Sequence, residues 1–293
     1  MHYLIKKSLF ALCLPLLFPN LCCTQKPNTD VSYQTPPEIP YDLQNPVLKS
    51  FFASEELKEI SALSPTDTPG IYLTIADERG VFYFVDTSGK MVNRVYFRDR
   101  GDFEGAEMVG KSLWALKSNG KLYLVENWEK DSIVEKDFKT FLSKEDDVEG
   151  LGYDAKRNAL LLACKGDPDS SYLRNIYAFD LDSLQLLEKP AYSIDPLEVN
   201  KLVQYGETEK HDYFSPSAVA INPLSGDVYV ISAALKRLVV LDGKDGHIRA
   251  AARIDKKLLP QPEGISFDKM GNMLISSEGK MGQGRLLMFK LRS

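Results

Sequence analysis

Five short segments of this chain set a polar residue, most often glutamate, at the head of an apolar strand. They are Lys58-Glu59-Ile60-Ser61-Ala62-Leu63, Asp102-Phe103-Glu104-Gly105-Ala106-Glu107-Met108, Asp147-Val148-Glu149-Gly150-Leu151-Gly152-Tyr153-Asp154, Ser215-Pro216-Ser217-Ala218-Val219-Ala220-Ile221 and Gln261-Pro262-Glu263-Gly264-Ile265. Carboxylates repeated in this way can do one of two things. Gathered around one opening, they repel each other until a proton or a cation neutralises them. Kept apart, each can accept backbone N–H groups and tie neighbouring elements together. Oxygen ligands without His or Cys favour a hard cation such as Ca²⁺ or Mg²⁺.

The spacing decides which elements carry them. Glu59 to Glu104 is 45 residues, Glu104 to Glu149 is 45, Glu149 to Ser217 is 68, and Ser217 to Glu263 is 46. Between the heads lie short runs of alternating apolar residues, broken at Pro69-Gly70, Ser88-Gly89-Lys90, Ser118-Asn119-Gly120, Pro223-Leu224-Ser225-Gly226 and Asp242 to Gly246. Units of four strands at a period of 40 to 50 residues predict an all-β chain, a β-propeller of five four-stranded blades. Six blades is the alternative, if the polar insertion Asp195 to Asp212 hides another. The last unit, Pro262 to Leu291, holds only three strands, so Val47 to Phe52 is expected to close it.

In a propeller the first strand of each blade lines the channel and the second runs back beside it. The starts of first strands and the ends of second strands therefore share one mouth. This places Glu59, Asp102, Glu104, Asp147, Glu149 and Glu263 as candidate ligands of a metal ion, Ca²⁺ in this reading. Asp77, Glu78, Lys117, Lys165, Ser217 and Glu278 become the candidate contacts to a ligand, and the two lysines suit a phosphate or carboxylate. Other signals are weak. Asp242-Gly243-Lys244-Asp245-Gly246 lacks the spacing of a calcium loop and reads as a hairpin turn. His2, His211 and His247 form no His-Glu-x-x-His motif, and no Gly-x-Ser-x-Gly turn is present. Trp114 and Trp128 read as packing residues.

Composition and termini set the address. A net charge of −5 with no basic patch argues against nucleic acid as a partner. Lys6-Lys7 followed by the apolar run Ser8 to Phe18 predicts a signal peptide over residues 1–23, too short and Pro-broken to span a bilayer. Cys22-Cys23 stands where a bacterial lipoprotein signal places its lipidated cysteine, and Cys23 is the expected site; an ordinary secretory signal is the alternative. Residues 24–46 hold Pro27, Pro36, Pro37, Pro40 and Pro46 and are expected to form a tether, with a reach on the order of 70 Å. The propeller would then occupy residues 47–293, outside the cytoplasm, in a bacterial cell envelope, touching the membrane only through a lipid anchor. Cys164, the one cysteine left in that domain, reads as a buried strand thiol.

The five segments, in this order, resemble the SdiA-regulated family, from about Val47 to Leu291. The last, continued through Gly271-Asn272-Met273-Leu274-Ile275-Ser276-Ser277-Glu278-Gly279, is the most specific. Ala62 stands where the family often has Gly, and Ala76 where it often has a polar residue. The resemblance implies an exported propeller, often a lipoprotein, related in plan to propellers with esterase-like or phytase-like activity. It implies no activity for this chain, because propellers host hydrolases, binding proteins and scaffolds alike. The sequence thus favours a binding protein holding a divalent cation and a small anionic ligand or envelope partner. The alternative is a metal-assisted hydrolase of phosphoesters, with Glu104, Glu149 and Glu263 as ligands or general base and Lys117 or Lys165 stabilising developing charge.

Overall fold

The computed structural model describes residues 39–130, 132–166, 168–203, 214–279 and 282–292. The signal segment, Cys23, most of the tether and residues 204–212 of the insertion lie outside them.

The fold is all-β, five antiparallel sheets arranged as a five-bladed propeller. Blade 1 comprises Ser64–Pro65, Ile71–Ala76, Arg79–Asp86 and Met91–Arg100. Blade 2 comprises Phe103–Val109, Ser112–Lys117, Leu122–Glu126 and Val134–Phe138. Blade 3 has Val148–Asp154, Ala159–Cys164 and Arg174–Asp180, with an outer edge in two pieces, Gln185–Leu186 and Tyr192–Ile194. Blade 4 comprises Ala218–Ile221, Val228–Ser232, Arg237–Leu241 and Ile248–Arg253. In blade 5, Pro262–Phe267, Met273–Ser277 and Arg285–Phe289 are completed by Leu48–Phe51, antiparallel to the third strand. The N-terminal strand therefore closes the ring, as the missing fourth strand required.

The core lies between blades rather than within any one of them. Phe82 and Phe97 of blade 1 stack at 4.7 Å, and Phe97 meets Phe103 of blade 2 edge-on. Trp114 and Phe138 pack on Phe179 of blade 3, and Trp128 stacks on Phe84. Both tryptophans are packing residues. Cys164 is buried and free, with its thiol pushed up to about 12, chiefly by burial. Such a thiol is inert at neutral pH.

Two stretches refine the sequence reading. The insertion opens with a helix, Pro196–Leu202, because Asp195 caps it by accepting from the Leu197 N–H and Pro196 takes the first turn. The tether ends earlier than Pro46. Ile39 and Tyr41 are buried, and the Tyr41 hydroxyl donates to the Gly271 carbonyl at 2.6 Å while accepting from Asn222 at 2.8 Å. These residues alternate with Pro40, so the extended path that proline favours also turns both apolar side chains onto the same core.

Candidate functional site

The Glu-Gly pairs have a backbone explanation. In blade 2, Phe103 pairs with Lys117 but Gly105 pairs with Leu116, so Glu104 is an extra residue in the ladder. The same slip isolates Glu149 between Val148 and Gly150, and Glu263 between Pro262 and Gly264. Each glutamate therefore sits on a β-bulge, which releases its side chain from the alternation and re-aims it. The glycine that follows serves packing. A Cβ on Gly105 would stand 2.4 Å from the Leu151 Cβ, and one on Gly264 would stand 2.6 Å from the Ala62 carbonyl carbon. The pair thus turns a carboxylate into the channel while letting the next blade close against the strand.

Blades 1 and 4 use Ser-Ala in the same place. The Ser61 N–H donates to Ile75 and the Ser217 N–H donates to Ile231, in each case to the second strand of the blade. The residue of blade 1 at the mouth is therefore Ser61, not Glu59.

These heads surround a cavity of about 440 Å³, lined by Ser61, Asp77, Glu104, Glu149, Lys165, Ser217, Lys236, Gln261, Glu263 and Glu278 among others. Behind the glutamates it narrows to a hollow of about 10 Å³ walled by Leu63, Leu151, Val219 and Ile265. Its walls carry five carboxylates and two lysines. Glu104 is pushed up to about 8 by burial, then by the charges of Glu149, Asp102 and Asp77. Glu263 is raised well above the carboxylate range by burial and then by Glu149 and Glu278. Glu149 is also raised by burial, against the pull of Lys165, whose Nζ lies 2.5 Å from its Oε1. Asp77 is raised by burial and then by Glu59, and its Oδ1 is buried with no hydrogen-bond partner among the described residues.

Several expected mouth residues stand elsewhere. Glu59 and Glu78 are exposed and line a separate groove on blade 1, which they share with Asp77. The Asp102 carboxylate accepts from the Ser118 hydroxyl instead of facing the cavity. Asp147 adopts a positive φ of 47°, its carbonyl accepts from the Lys165 N–H, and its carboxylate lies 3.7 Å from Lys165 Nζ. The Lys117 ammonium rests over the Phe103 ring at 5.6 Å. Ser217 does reach the cavity, but its hydroxyl is committed, donating to the Pro262 carbonyl at 2.9 Å and accepting from the Ala233 N–H at 3.1 Å. Glu278 lines the cavity and accepts from Gln261 Nε2 at 2.6 Å.

Gln261 and Lys236 were not foreseen. Gln261 could have been, because it precedes the most specific segment. Glu107 was also missed. It is buried farther along the first strand of blade 2, takes a hydrogen bond from the Ser64 hydroxyl of blade 1, and is pushed up to about 8 by burial despite that bond. It joins blades 1 and 2.

The mouth offers oxygen donors without His or Cys, which fits a hard cation. Its carboxylates are not gathered into a ready chelate. Among the described residues, the three acidic or imidazole ligand atoms that lie within 4.8 Å of one another belong to Asp242, Asp245 and His247, in the last hairpin turn of blade 4. A hard ion in the mouth would keep part of its water, as Mg²⁺ and Ca²⁺ commonly do.

A family model described as SdiA-regulated matches residues 51–281. Two solved structures share the fold at low identity. The glutaminyl cyclase of Myxococcus xanthus is 12% identical with a TM-score of 0.56, over 85% of this chain and 96% of that one. A luciferin-regenerating enzyme is 10% identical with a TM-score of 0.51, over 84% of this chain and 95% of that one. No curated protein matches the chain.

Proposed function

The chain belongs to the SdiA-regulated family, and for this member we propose an exported, lipid-anchored binding protein of the cell envelope whose channel mouth takes up a divalent cation. A small anionic ligand would join through that cation. One observation carries the reading. Carboxylates from blades 1, 2, 3 and 5 share a partly enclosed cavity in which burial first, and then neighbouring carboxylates in and around it, hold them above their ordinary range. A cation entering the cavity relieves both penalties at once. The lysines do not relieve them in full, because Lys165 is spent on Glu149 and Asp147 and Lys236 donates to the Ala233 carbonyl. For the same reason the mouth offers an anion little without a metal.

The test is a thermal melt of the purified protein in chelator and then in excess calcium, alongside Glu104→Gln and Glu263→Gln. Calcium is expected to raise the midpoint of the wild type. At a hundred times the dissociation constant the gain is about 2.7 kcal/mol, roughly 5–10 °C for a domain of this size. Both variants should lose most of it. A wild-type midpoint indifferent to calcium and magnesium would sink the reading. Turnover of a phosphoester panel by the calcium form, lost in Glu104→Gln, would convert it into the hydrolase alternative.

A further inference from the structure

The groove on blade 1 is a second site, separate in chemistry from the mouth. It has a volume of about 660 Å³, within the range of small-molecule sites. Its floor is the short 3-10 helix Glu55–Leu57 with Glu59, and its walls are the Asp77-Glu78-Arg79 turn and the neighbouring strands of the blade. Glu55, Glu56, Glu59, Asp77 and Glu78 face it, against Arg79 and Arg94. The groove therefore carries an excess of three negative charges. Arg94 is already engaged with Glu56, at 3.1 Å, in a largely exposed pair that an incoming cation could displace.

A cluster of acids alone would mean little. The second observation is Tyr83, only 4% exposed, which lines the groove and makes no hydrogen bond through its hydroxyl among the described residues. Its hydroxyl stands in the field of Glu56, Arg94 and Arg79, the groups of the groove itself. A buried phenol usually finds a partner. This hydroxyl opens onto the groove, where a ligand atom can meet it. Val81 and the ring of Tyr96 add apolar wall.

From this geometry we propose that the groove binds a protonated alkylamine, with ammonium groups on Glu56, Glu59 and Glu78, a methylene chain along Val81 and Tyr96, and one N–H donated to Tyr83. An organic amine fits better than a bare metal ion. The apolar wall would give an ion nothing, whereas it can cover a methylene chain, and the open phenol hydroxyl can accept an N–H. Two sources share this chemistry, a free polyamine and a lysyl side chain of a peptide. The groove adjoins the mouth at Asp77, which lines both, but none of the amine contacts named here lines the mouth, and the proposal does not depend on the calcium reading.

The test is calorimetric titration of the full protein with spermidine and, separately, with trilysine, both in chelator. Saturable one-to-one binding is expected from at least one of them, and the tighter ligand identifies the source. Tyr83→Phe should weaken it by about 3- to 10-fold, the loss of one hydrogen bond, with an unchanged melting midpoint. The double variant Glu56→Gln/Glu59→Gln, at exposed positions that tolerate change, should weaken it about tenfold. Glu263→Gln should leave it within about twofold, because a charge across the mouth is screened from the groove. Absence of saturable binding, indifference to the groove variants, or loss in Glu263→Gln would each overturn the proposal, the last by moving the amine into the mouth.

Discussion

Two groups of carboxylates in this propeller look alike in sequence and differ in electrostatics. At the mouth, Glu104, Glu149 and Glu263 are largely buried and are raised first by burial; Glu149 adds to the rise of the other two, while its own is opposed by Lys165. At the hairpin turn of blade 4, Asp242 and Asp245 are held below their usual range, each first by a backbone N–H, from Lys244 and His247 respectively. Arg249 adds a charge 3.1 Å from Asp242. The turn is thus complete in itself, its acids serving as turn-forming side chains that bond the backbone two residues on. The mouth has unmet demand. On the proposed function, acids whose charge the protein does not compensate mark the binding site better than proximity of acids does.

The largest effect should come from breaking the mouth's backbone. In Gly264→Ala the new Cβ would meet the Ala62 carbonyl carbon at 2.6 Å and the Leu63 nitrogen at 2.7 Å. Neither can yield without moving a strand of blade 1. The expected cost is about 2–3 kcal/mol, or roughly 5–10 °C in the melting midpoint. Gly226→Ala, in the turn after the first strand of blade 4, meets no atom within 4 Å but keeps a φ of 74°. That strain costs about 1–2 kcal/mol. Equal losses in the two variants would show that glycine at the bulge serves conformation and not the approach of blades.

The next test uses pH. A carboxylate whose folded pKa is raised keeps its proton longer in the folded state than in the unfolded one. Its contribution to stability is full below the unfolded value of 4.5 and is lost as pH rises through the folded value, about 8 for Glu104. The calcium-free protein should therefore melt at progressively lower temperature from pH 5 to pH 8. Glu104→Gln should reduce that slope, leaving the parts due to Glu107, which shares the same window, and to the other raised carboxylates Asp77, Glu149 and Glu263. Calcium should help most at pH 8, where the mouth is most highly charged. A midpoint that rises with pH across this range would refute the electrostatic account of the mouth.

How much of this was readable in the chain follows from what sets each feature. The five blades were legible because the period of 45 residues and the turn signals are local. Glu104, Glu149 and Glu263 were legible because each glutamate is followed by glycine. Blade 1 misled because Glu59 continues the spacing of 45, whereas the structural equivalent is Ser61. The clue was Ala62, which stands in the glycine position, as Ala218 does after Ser217. Asp102 and Asp147 misled for a different reason. Residues two apart share a face in a regular strand, but the bulge at each glutamate breaks that alternation. Neither the Lys165–Glu149 pair nor the open hydroxyl of Tyr83 is encoded locally; both depend on how separate strands meet.

The smallest effect expected is also the one that most sharpens the contrast between mouth and turn. Asp245 is exposed, and its lowered pKa contributes stability above 3.8 that is lost only as pH falls below that value. Between pH 5 and pH 8 it is ionised in both folded and unfolded chains, so Asp245→Asn should change the slope of midpoint against pH far less than Glu104→Gln does, and only through the His247 ring, whose Nδ1 lies 2.6 Å from the carboxylate. The side-chain amide still presents an oxygen to the His247 N–H, so the turn itself should persist. The response to calcium should persist too, if the ion enters the mouth. Asp242, Asp245 and His247 nevertheless hold three ligand atoms within 4.8 Å, which the mouth acids do not. Loss of the calcium shift in Asp245→Asn, with the shift retained in Glu263→Gln, would place the ion at the turn. Geometry would then outrank uncompensated charge as the guide to a cation site in this propeller. Retention in Asp245→Asn with loss in Glu263→Gln would mean that a cation is drawn to carboxylates the fold leaves unpaid, even when waters must complete its shell.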